Sequence, residues 1–404
     1  MRGAGRVKGA VGDFEPIASY GMLSDCSSAA LVSREGSIDW LCLPRFDSPA
    51  VFARLLDPRG GHWSIRPADP FEVRRRYLPG SLVVETTFTT ASGTIRLTDA
   101  LGFIHGQRGH DLGVGAPHEL LRSVEGLAGS AEVVMQLAPR PEYGLVRPLL
   151  RITDTGARTF GGPNQFALSS AVPLTVDDAT LHGAFTVRAG EQIGFCMAWA
   201  PAESRPPETC APNAVPERLA DTIEGWRSWE AAHDGHRGPH RDLIRLSSRV
   251  LKGLSYRPTG AIVAAPTTSL PEQVGGERNW DYRYAWIRDA SLTMQALFVG
   301  TCPDEVTDFV SFMTSSAGGG GQDALQIMYG IGGEHDLSER ELPHLRGWRD
   351  SAPVRVGNGA WDQTQLDVYG ELLDAMHLYR EHLGDLHPEI QHFAAGLADA
   401  AAAL

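Results

Sequence analysis

Chemistry-bearing side chains crowd into the stretch NWDYRYAWIRDA, residues 279–290. Arg288 offers a rigid fork of hydrogen-bond donors, and Asp289 beside it offers an acceptor whose ionisation the guanidinium would support. Trp286 and Tyr284 add aromatic faces, and Trp280 and Asp281 form a second aromatic–carboxylate couple. Groups of these types can bond and stack on a small polar ligand. By residue type alone they better suit a helix-start ion pair beside core aromatics, with Trp280 and Asp281 bracing a loop. Further along, Glu277, Glu334 and Glu371 are the carboxylates to weigh for general acid–base work. Glu334 follows Gly332-Gly333, which suits a pocket rim. Glu371 falls inside a predicted helix that is apolar on two faces, where a hydrogen-bonded structural role fits better. Trp348 and Trp361 lie on predicted loops, free to line a pocket or to pack.

Other chemistries are excluded by composition and spacing. The five cysteines, Cys26, Cys42, Cys196, Cys210 and Cys302, include no pair at metal-ligand spacing, so no metal and no cofactor is expected. An odd, sparse set fits a reducing compartment. The net charge of -13, from 49 acidic against 36 basic residues, argues against a nucleic-acid or anionic-membrane partner, because either requires a basic patch. No apolar run reaches the roughly 18 residues of a membrane span. The opening MRGAGRVKGAVGDFEP lacks the apolar core, about 7–15 residues long, of a secretory signal. The expectation is a cytoplasmic protein with a flexible head over residues 1–13.

The elements that must position these groups change type along the chain. At 404 residues, 42 % apolar and 21 % charged, the chain can bury two cores. Its first half carries short β-branched runs bounded by turn residues: 82–89, 94–98, 131–137, 166–170 and 184–188. Residues 193–199 read as a strand buried on both faces. Many short strands point to a β-sandwich over 14–205. A Pro-rich stretch, 201–216, opens a predicted linker over 206–240. Helical periodicity then begins. A helix over 241–256 shows Leu243, Ser247, Val250, Leu251 and Leu254 on one face, and another spans about 286–299. Pro303 opens a third, with Asp304 and Glu305 suited to its dipole and Val306, Phe309, Val310 and Met313 as its stripe. Gly318–Gly321 should end it in a mobile loop. The helix at about 363–382 has two stripes, which predicts packing on both sides. The last, from Pro388, carries Ile390, Phe393 and Leu397 and reaches Leu404 without a stop signal, so the reading is a chain that ends inside a helix. These five helices hold more apolar face than five helices can hide.

Three stretches carry a family resemblance. SYGMLSDCSSAALVSREGSIDWLCLPRFDSPAVFARLLD, residues 19–57, resembles the start of the trehalase-like sandwich domain in glycoside hydrolase family 15, the trehalase and glucoamylase family. Residues 256–297, which contain NWDYRYAWIRDA, look like that family's first active-site segment. LPHLRGWRDSAPVRVGNGAWDQTQLDVYGELLDA, residues 342–375, is similar to its next one. The resemblance implies a β-sandwich followed by an (α/α)6 helical barrel, here incomplete over 241–404, with a pocket for a terminal glucose. It implies inverting hydrolysis, in which one carboxyl protonates the leaving oxygen and another, about 6.5–9.5 Å away, activates water. By this match Arg288 and Asp289 bind glucose hydroxyls, and Trp286 and Tyr284 form part of the wall. Trp361 stands where the family pattern has a tyrosine, which leaves its role open. The family's general acid lies in a segment like DEGIWE after the helix that reaches Leu404, and its general base lies later still. Glu277, Glu334 and Glu371 are therefore not assigned, no catalytic residue is named, and the chain is expected to be truncated and inactive alone. The implied substrate is a terminal α-glucoside, trehalose first and an α-glucan end second. Two other readings stay open: a non-catalytic sugar-binding protein, and a chain completed by a complementing chain or by self-association through exposed barrel helices.

Overall fold

The computed structural model describes residues 14–317 and 325–403; the expected head (1–13), the Gly318–Gly321 loop and Leu404 lie outside the described residues. The chain divides into two compact units, residues 1–228 with 345–350, and residues 229–344 with 351–404.

The first unit is built from antiparallel strands: β1 Gly21–Ser24, β2 Ala29–Val32, β3 Ser37–Cys42, β4 Ala50–Phe52, β5 His62–Pro67, β6 Glu72–Tyr77, β7 Val84–Thr89 and β8 Gly93–Leu101. They continue as β9 Glu119–Ala138, β10 Leu149–Thr153, β11 Gly156–Phe160, β12 Asn164–Ser170, β13 Leu174–Asp177, β14 Thr180–Arg188 and β15 Gln192–Pro201. Two sheets share the long strand β9. Its first half pairs with β8 and β15, and its second half with β5 and β14. Glycine permits the change of sheet. A Cβ at Gly126 would lie 2.1 Å from the Arg188 carbonyl oxygen, and Gly129 adopts φ +61° with the Ser92 carbonyl 2.2 Å from its Cβ position.

Alternation along the strands sends one face of each sheet inward. Trp63, Ile65, Met135, Phe185 and Val187 from one sheet join Val84, Phe88, Leu97, Val124 and Phe195 from the other in one apolar core. This is the arrangement expected of a β-sandwich. The expected run 193–199 lies in β15, where residues 194–198 are buried without a break. Within the core sits a charge pair. Arg122 and Asp99 are both fully buried; Arg122 Nε donates to Asp99 Oδ1 at 2.8 Å, and its Nη atoms donate to the Gly36 and Trp63 carbonyls.

Helices follow: α1 Val215–Ala232, α2 Arg241–Leu254, α3 Ile287–Val299, α4 Pro303–Ala317, α5 Asp367–Leu383 and α6 Pro388–Ala403. The 206–240 stretch, read as linker, thus contains α1. Helix α4 buries Val306, Phe309, Val310 and Met313 as expected, but it also buries Glu305. Helix α2 differs from its expected packing. Leu243 and Ser247 face solvent, and the buried face is Ser248, Arg249, Lys252 and Gly253. Ion pairs choose this face: Arg249 meets Glu230, and Lys252 Nζ lies 3.1 Å from Glu305 Oε1. Leaving two such charges buried without counter-charges would cost more than wetting one leucine. Helix α5 is likewise buried on one face only, through Val368, Tyr369, Leu372, Ala375 and Met376, while Leu366 is exposed. Glu371 is therefore half-buried rather than enclosed on two sides. On α6 only Leu397 is buried; Ile390 and Phe393 are half-buried.

Candidate functional site

The segment that carries Arg288 is held as an extended strand before it becomes a helix. The amides of Ala264, Ala265 and Ser269 bond to the carbonyls of Tyr284, Tyr282 and Trp280 at 2.9–3.0 Å, so 264–269 and 280–284 run antiparallel. Residues 285–286 then pair with 328–329, and α3 begins at Ile287. Asp281 and Arg283, both buried, form a bidentate pair at 2.8 and 2.6 Å, and the Tyr284 hydroxyl donates to Asp281 Oδ2 at 3.3 Å. Tyr282, Tyr284 and Trp286 make an aromatic ladder with ring centroids 5.3 and 6.4 Å from Trp286.

Bracing around this strand is dense. Asn358 Nδ2 donates to the Asp281 carbonyl at 3.1 Å, and the Gly357 amide donates to the Tyr284 hydroxyl oxygen at 3.0 Å. Asn279 Nδ2 reaches the carbonyls of Ser351 and Pro353 at 3.1 and 3.2 Å. Arg355 lies over the Trp280 ring at 4.7 Å and pairs with Glu339 at 2.9 Å. Asp281 and Trp280 thus brace the loop, the structural alternative raised from their residue types.

The strand ends by presenting Arg288 and Asp289, both exposed, in the first turn of α3. An acid there is favoured by the helix dipole. Arg288 engages Asp367, not its neighbour Asp289: Arg288 Nη1 donates to Asp367 Oδ2 at 3.1 Å. Asp367 opens α5, and seven residues further along both helices Gln295 Nε2 donates to Asp374 Oδ2 at 3.2 Å. The matched spacing means α3 and α5 run parallel, with their N-termini together. Burial raises the Tyr282 phenol above its usual value, helped by the carboxylates of Glu272 and Asp289.

Tyr284 and Trp286, read as wall residues, are only 7 % and 8 % exposed. Tyr282 is the open ring of the ladder, at 36 %. Sequence reasoning missed Tyr282 and Asp367. The two-residue spacing of Tyr282, Tyr284 and Trp286 was a signal for the first; nothing local in the sequence marks the second. Trp348 packs in the first unit, its Nε1 donating to the Glu15 carbonyl at 2.9 Å. Trp361 is half-buried, and its carbonyl accepts from Gln326 Nε2 at 3.2 Å. Glu334 is exposed and holds its own turn through the Gly332 amide at 2.8 Å, and Glu277 is exposed. Exposed donors, acceptors and one open ring around the N-termini of α3 and α5 can hold a polyhydroxylated ligand.

Two family profiles match the chain. Residues 238–399 match the one described as Glycosyl hydrolases family 15, and residues 7–186 match Trehalase-like, N-terminal. Among curated proteins the chain is 38 % identical over 395 residues to a trehalase of Mycolicibacterium smegmatis, covering 92 % of this chain and 58 % of that protein. It is 36 % identical over 386 residues to a trehalase of Mycobacterium tuberculosis, covering 91 % and 56 %. A Sulfolobus acidocaldarius protein named Trehalase 1 is 33 % identical over 368 residues, covering 90 % and 60 %. The chain therefore spans under two thirds of the length of these relatives. Among solved structures, a putative kojibiose phosphorylase from the human microbiome aligns over 90 % of this chain and 54 % of its own. Its TM-score of 0.45 and 9 % identity are too low to inform the fold. Among the described residues no helix is long and apolar enough to cross a membrane.

Proposed function

The chain belongs to glycosyl hydrolases family 15, and from that membership we propose that it serves the inverting hydrolysis of a terminal α-glucoside, trehalose first. The observation that carries the reading is 38 % identity to a trehalase along 92 % of this chain. Arg288 and Asp289 bind hydroxyls of the terminal glucose from the first turn of α3. Tyr284 and Trp286 form the floor of the aromatic wall, and Tyr282 supplies its open ring. Asp367 holds the Arg288 fork in place until sugar hydroxyls take over its donors. A neutral sugar also suits a chain of charge -13, which repels anionic ligands.

The general acid and general base are not assigned to any of the 404 residues. In this reading residues 14–205 are the trehalase-like sandwich domain, 241–404 are part of an (α/α)6 barrel, and the protein works in the cytoplasm. Each acid–base group typically contributes about 10²–10⁴-fold, so residues 1–404 alone turn over almost nothing. The exposed Leu243, Leu292, Val299 and Leu366 support a further partner: helices from a complementing chain or a second copy cover them.

The test is glucose release by the 404-residue chain from trehalose, maltose and a maltooligosaccharide, with glucose binding followed by titration calorimetry. The expected result is binding that Arg288→Ala removes, without release. Release of glucose that is lost on replacing Glu334 would overturn the assignment of the acid and base. Preference for the maltooligosaccharide in a completed protein would move the substrate to α-glucan ends.

A further inference from the structure

Thr301 ties the turn between α3 and α4 to the residues that follow α1. Its Oγ1 donates to the His233 carbonyl at 2.6 Å and accepts from the Gly235 amide at 3.0 Å. Cys302 comes next in the chain, and Glu305 lies in the first turn of α4. One ligand atom from each of His233, Cys302 and Glu305 lies within 4.8 Å of the other two, and all three residues are buried. His233 Nε2 and Glu305 Oε2 are 3.7 Å apart. Tetrahedral zinc bonds of about 2.0–2.3 Å would set such atoms about 3.3–3.6 Å apart, so the set needs only a slight contraction.

Partners behind these groups orient them. His233 Nδ1 lies 2.7 Å from the Trp229 carbonyl. A carbonyl only accepts, so Nδ1 carries the proton and Nε2 keeps its lone pair, which is how a metal-bound imidazole is ordinarily braced. Glu305 Oε1 accepts from Trp229 Nε1 at 2.8 Å and lies 3.1 Å from Lys252 Nζ. Its Oε2, on a residue only 4 % exposed, accepts no hydrogen bond among the described residues. Cys302, fully buried, donates to the Gly300 carbonyl at 3.3 Å. Burial, and after it Glu305, pushes this thiol up to about 12, so it stays protonated until a cation displaces the proton. Lys252 is the charge that opposes a cation here. It does not belong to Glu305 alone, because it also acts on Asp308, and Asp304 adds negative charge near Cys302. A pocket lined in part by Trp229, His233, Ser248 and Gly300 lies beside the cluster and offers an ion and water a way in.

We propose that His233, Cys302 and Glu305 form a zinc site, with water as the fourth ligand, which fastens the end of α1 to the start of α4. Thiolate, imidazole and carboxylate together suit zinc, whereas magnesium and calcium take oxygen ligands. On binding, the Cys302 S–H bond gives way to a sulfur–zinc bond and the proton passes to solvent. Cysteine spacing could not reveal this set, because its ligands come from two separate segments and only one of them is a cysteine.

The test takes the full chain, strips it of metal with a chelator, and then adds zinc or cobalt(II). The expected result is one zinc per chain retained through desalting, a higher melting temperature, and a thiolate-to-cobalt charge-transfer band. X-ray absorption at the zinc edge should find a single sulfur at about 2.3 Å, with nitrogen and oxygen at about 2.0–2.2 Å. Cys302→Ser should erase the charge-transfer band. His233→Gln should weaken zinc binding by more than the roughly 10–100-fold that loss of an outer-shell partner costs. Failure to retain zinc overturns the proposal, as does a zinc shell with no sulfur or with more than one. So does zinc that both variants hold as tightly as the unaltered chain. The absorption spectrum of the unaltered chain decides the matter even where a variant fails to fold.

Discussion

The sheet unit and the helical unit each bury a cluster of charges, and they stabilise it in different ways. In the sheets, Arg122 finds a bonded acceptor for each side of its fork: Asp99, the Gly36 carbonyl and the Trp63 carbonyl. Geometry there leaves both sides of the guanidinium fork bonded, although Asp99 itself stays under the weight of its burial. In the helices, Glu305 Oε1 takes both Lys252 Nζ at 3.1 Å and Trp229 Nε1 at 2.8 Å. Its Oε2 has no hydrogen bond among the described residues and lies 3.7 Å from His233 Nε2. Net charge, more than bond geometry, holds that cluster together. The most deeply buried carboxyls record the difference, although Glu85 in the sheets is lowered and Asp308 on α4 is raised. Burial pushes Asp25, Asp39 and Asp99 up, and their partners do not overcome it. Burial also acts to raise Glu305, but Lys252, His233 and Trp229 outweigh it and hold that carboxyl below its usual value.

The comparison breaks most visibly at Arg122. Arg122→Ala strands Asp99 and two carbonyls in the apolar core, and should cost about 3–5 kcal/mol, read as a lower urea midpoint of the sheet unit. A loss under about 1 kcal/mol would mean that water enters and that the core is less closed than it looks. Glu305→Gln should cost less, about 3 kcal/mol at most, because the amide keeps the Trp229 bond and loses only the charge opposite Lys252. Lys252→Met should be milder still, since it leaves Glu305 with Trp229 and His233. If Lys252→Met proves the costlier of the two, Trp229 and His233 do not compensate the buried carboxylate once Lys252 is gone.

Acid sharpens the same contrast with a smaller effect. Glu305 has a folded pKa below its unfolded one, so its contribution is complete above the unfolded value of about 4.3 and is lost as pH falls through the folded value. Asp39 and Asp99 have raised folded pKa values, so the fold favours their protonated forms and their contribution is lost as pH rises through those values. Taking the protein from pH 5 toward pH 3 should weaken the helical unit before the sheets. Amide exchange in α2 and α4 should rise ahead of that in β8 and β9, and Glu305→Gln should reduce this acid response in α4 while leaving the part that Asp234 contributes through Arg241 and Arg245 of α2. Simultaneous loss in both units would mean that other carboxyls dominate.

Legibility in the sequence follows the same division. Strand positions were readable because alternation and turn residues act locally: runs 82–89, 94–98 and 166–170 fall on β7, β8 and β12. Helices α2 to α6 were readable as elements, and α4 even in its buried face, whereas α1 fell in the stretch read as linker. The faces of α2 and α5 were not. The apolar spacing of Leu243, Val250 and Leu254 is local information, whereas the buried face of α2 depends on Glu230 and Glu305 on other helices. The site shows the same limit. Arg288 and Asp289 stand out in one segment, but the partner of Arg288 is 79 residues away at the start of α5, and only the parallel packing of α3 on α5 brings it there.

The Arg288–Asp367 pair should show the smallest effect on stability, and that is what gives it meaning. Its side chains are 46 % and 49 % exposed, so water already screens them and their attraction contributes at most about 1 kcal/mol. Arg288→Ala should leave the melting transition within about that margin. If the fork serves to hold sugar hydroxyls, the same substitution should abolish glucose binding while Asp367→Asn only weakens it, because the donors remain and only their positioning is relaxed. If both variants bind as the unaltered chain does, Arg288 is a helix-start ion pair and nothing more. If Arg288→Ala instead unfolds the helical unit, the pair carries structural weight that its exposure does not predict, and the separation between buried clusters that stabilise and exposed groups that bind fails at the site itself.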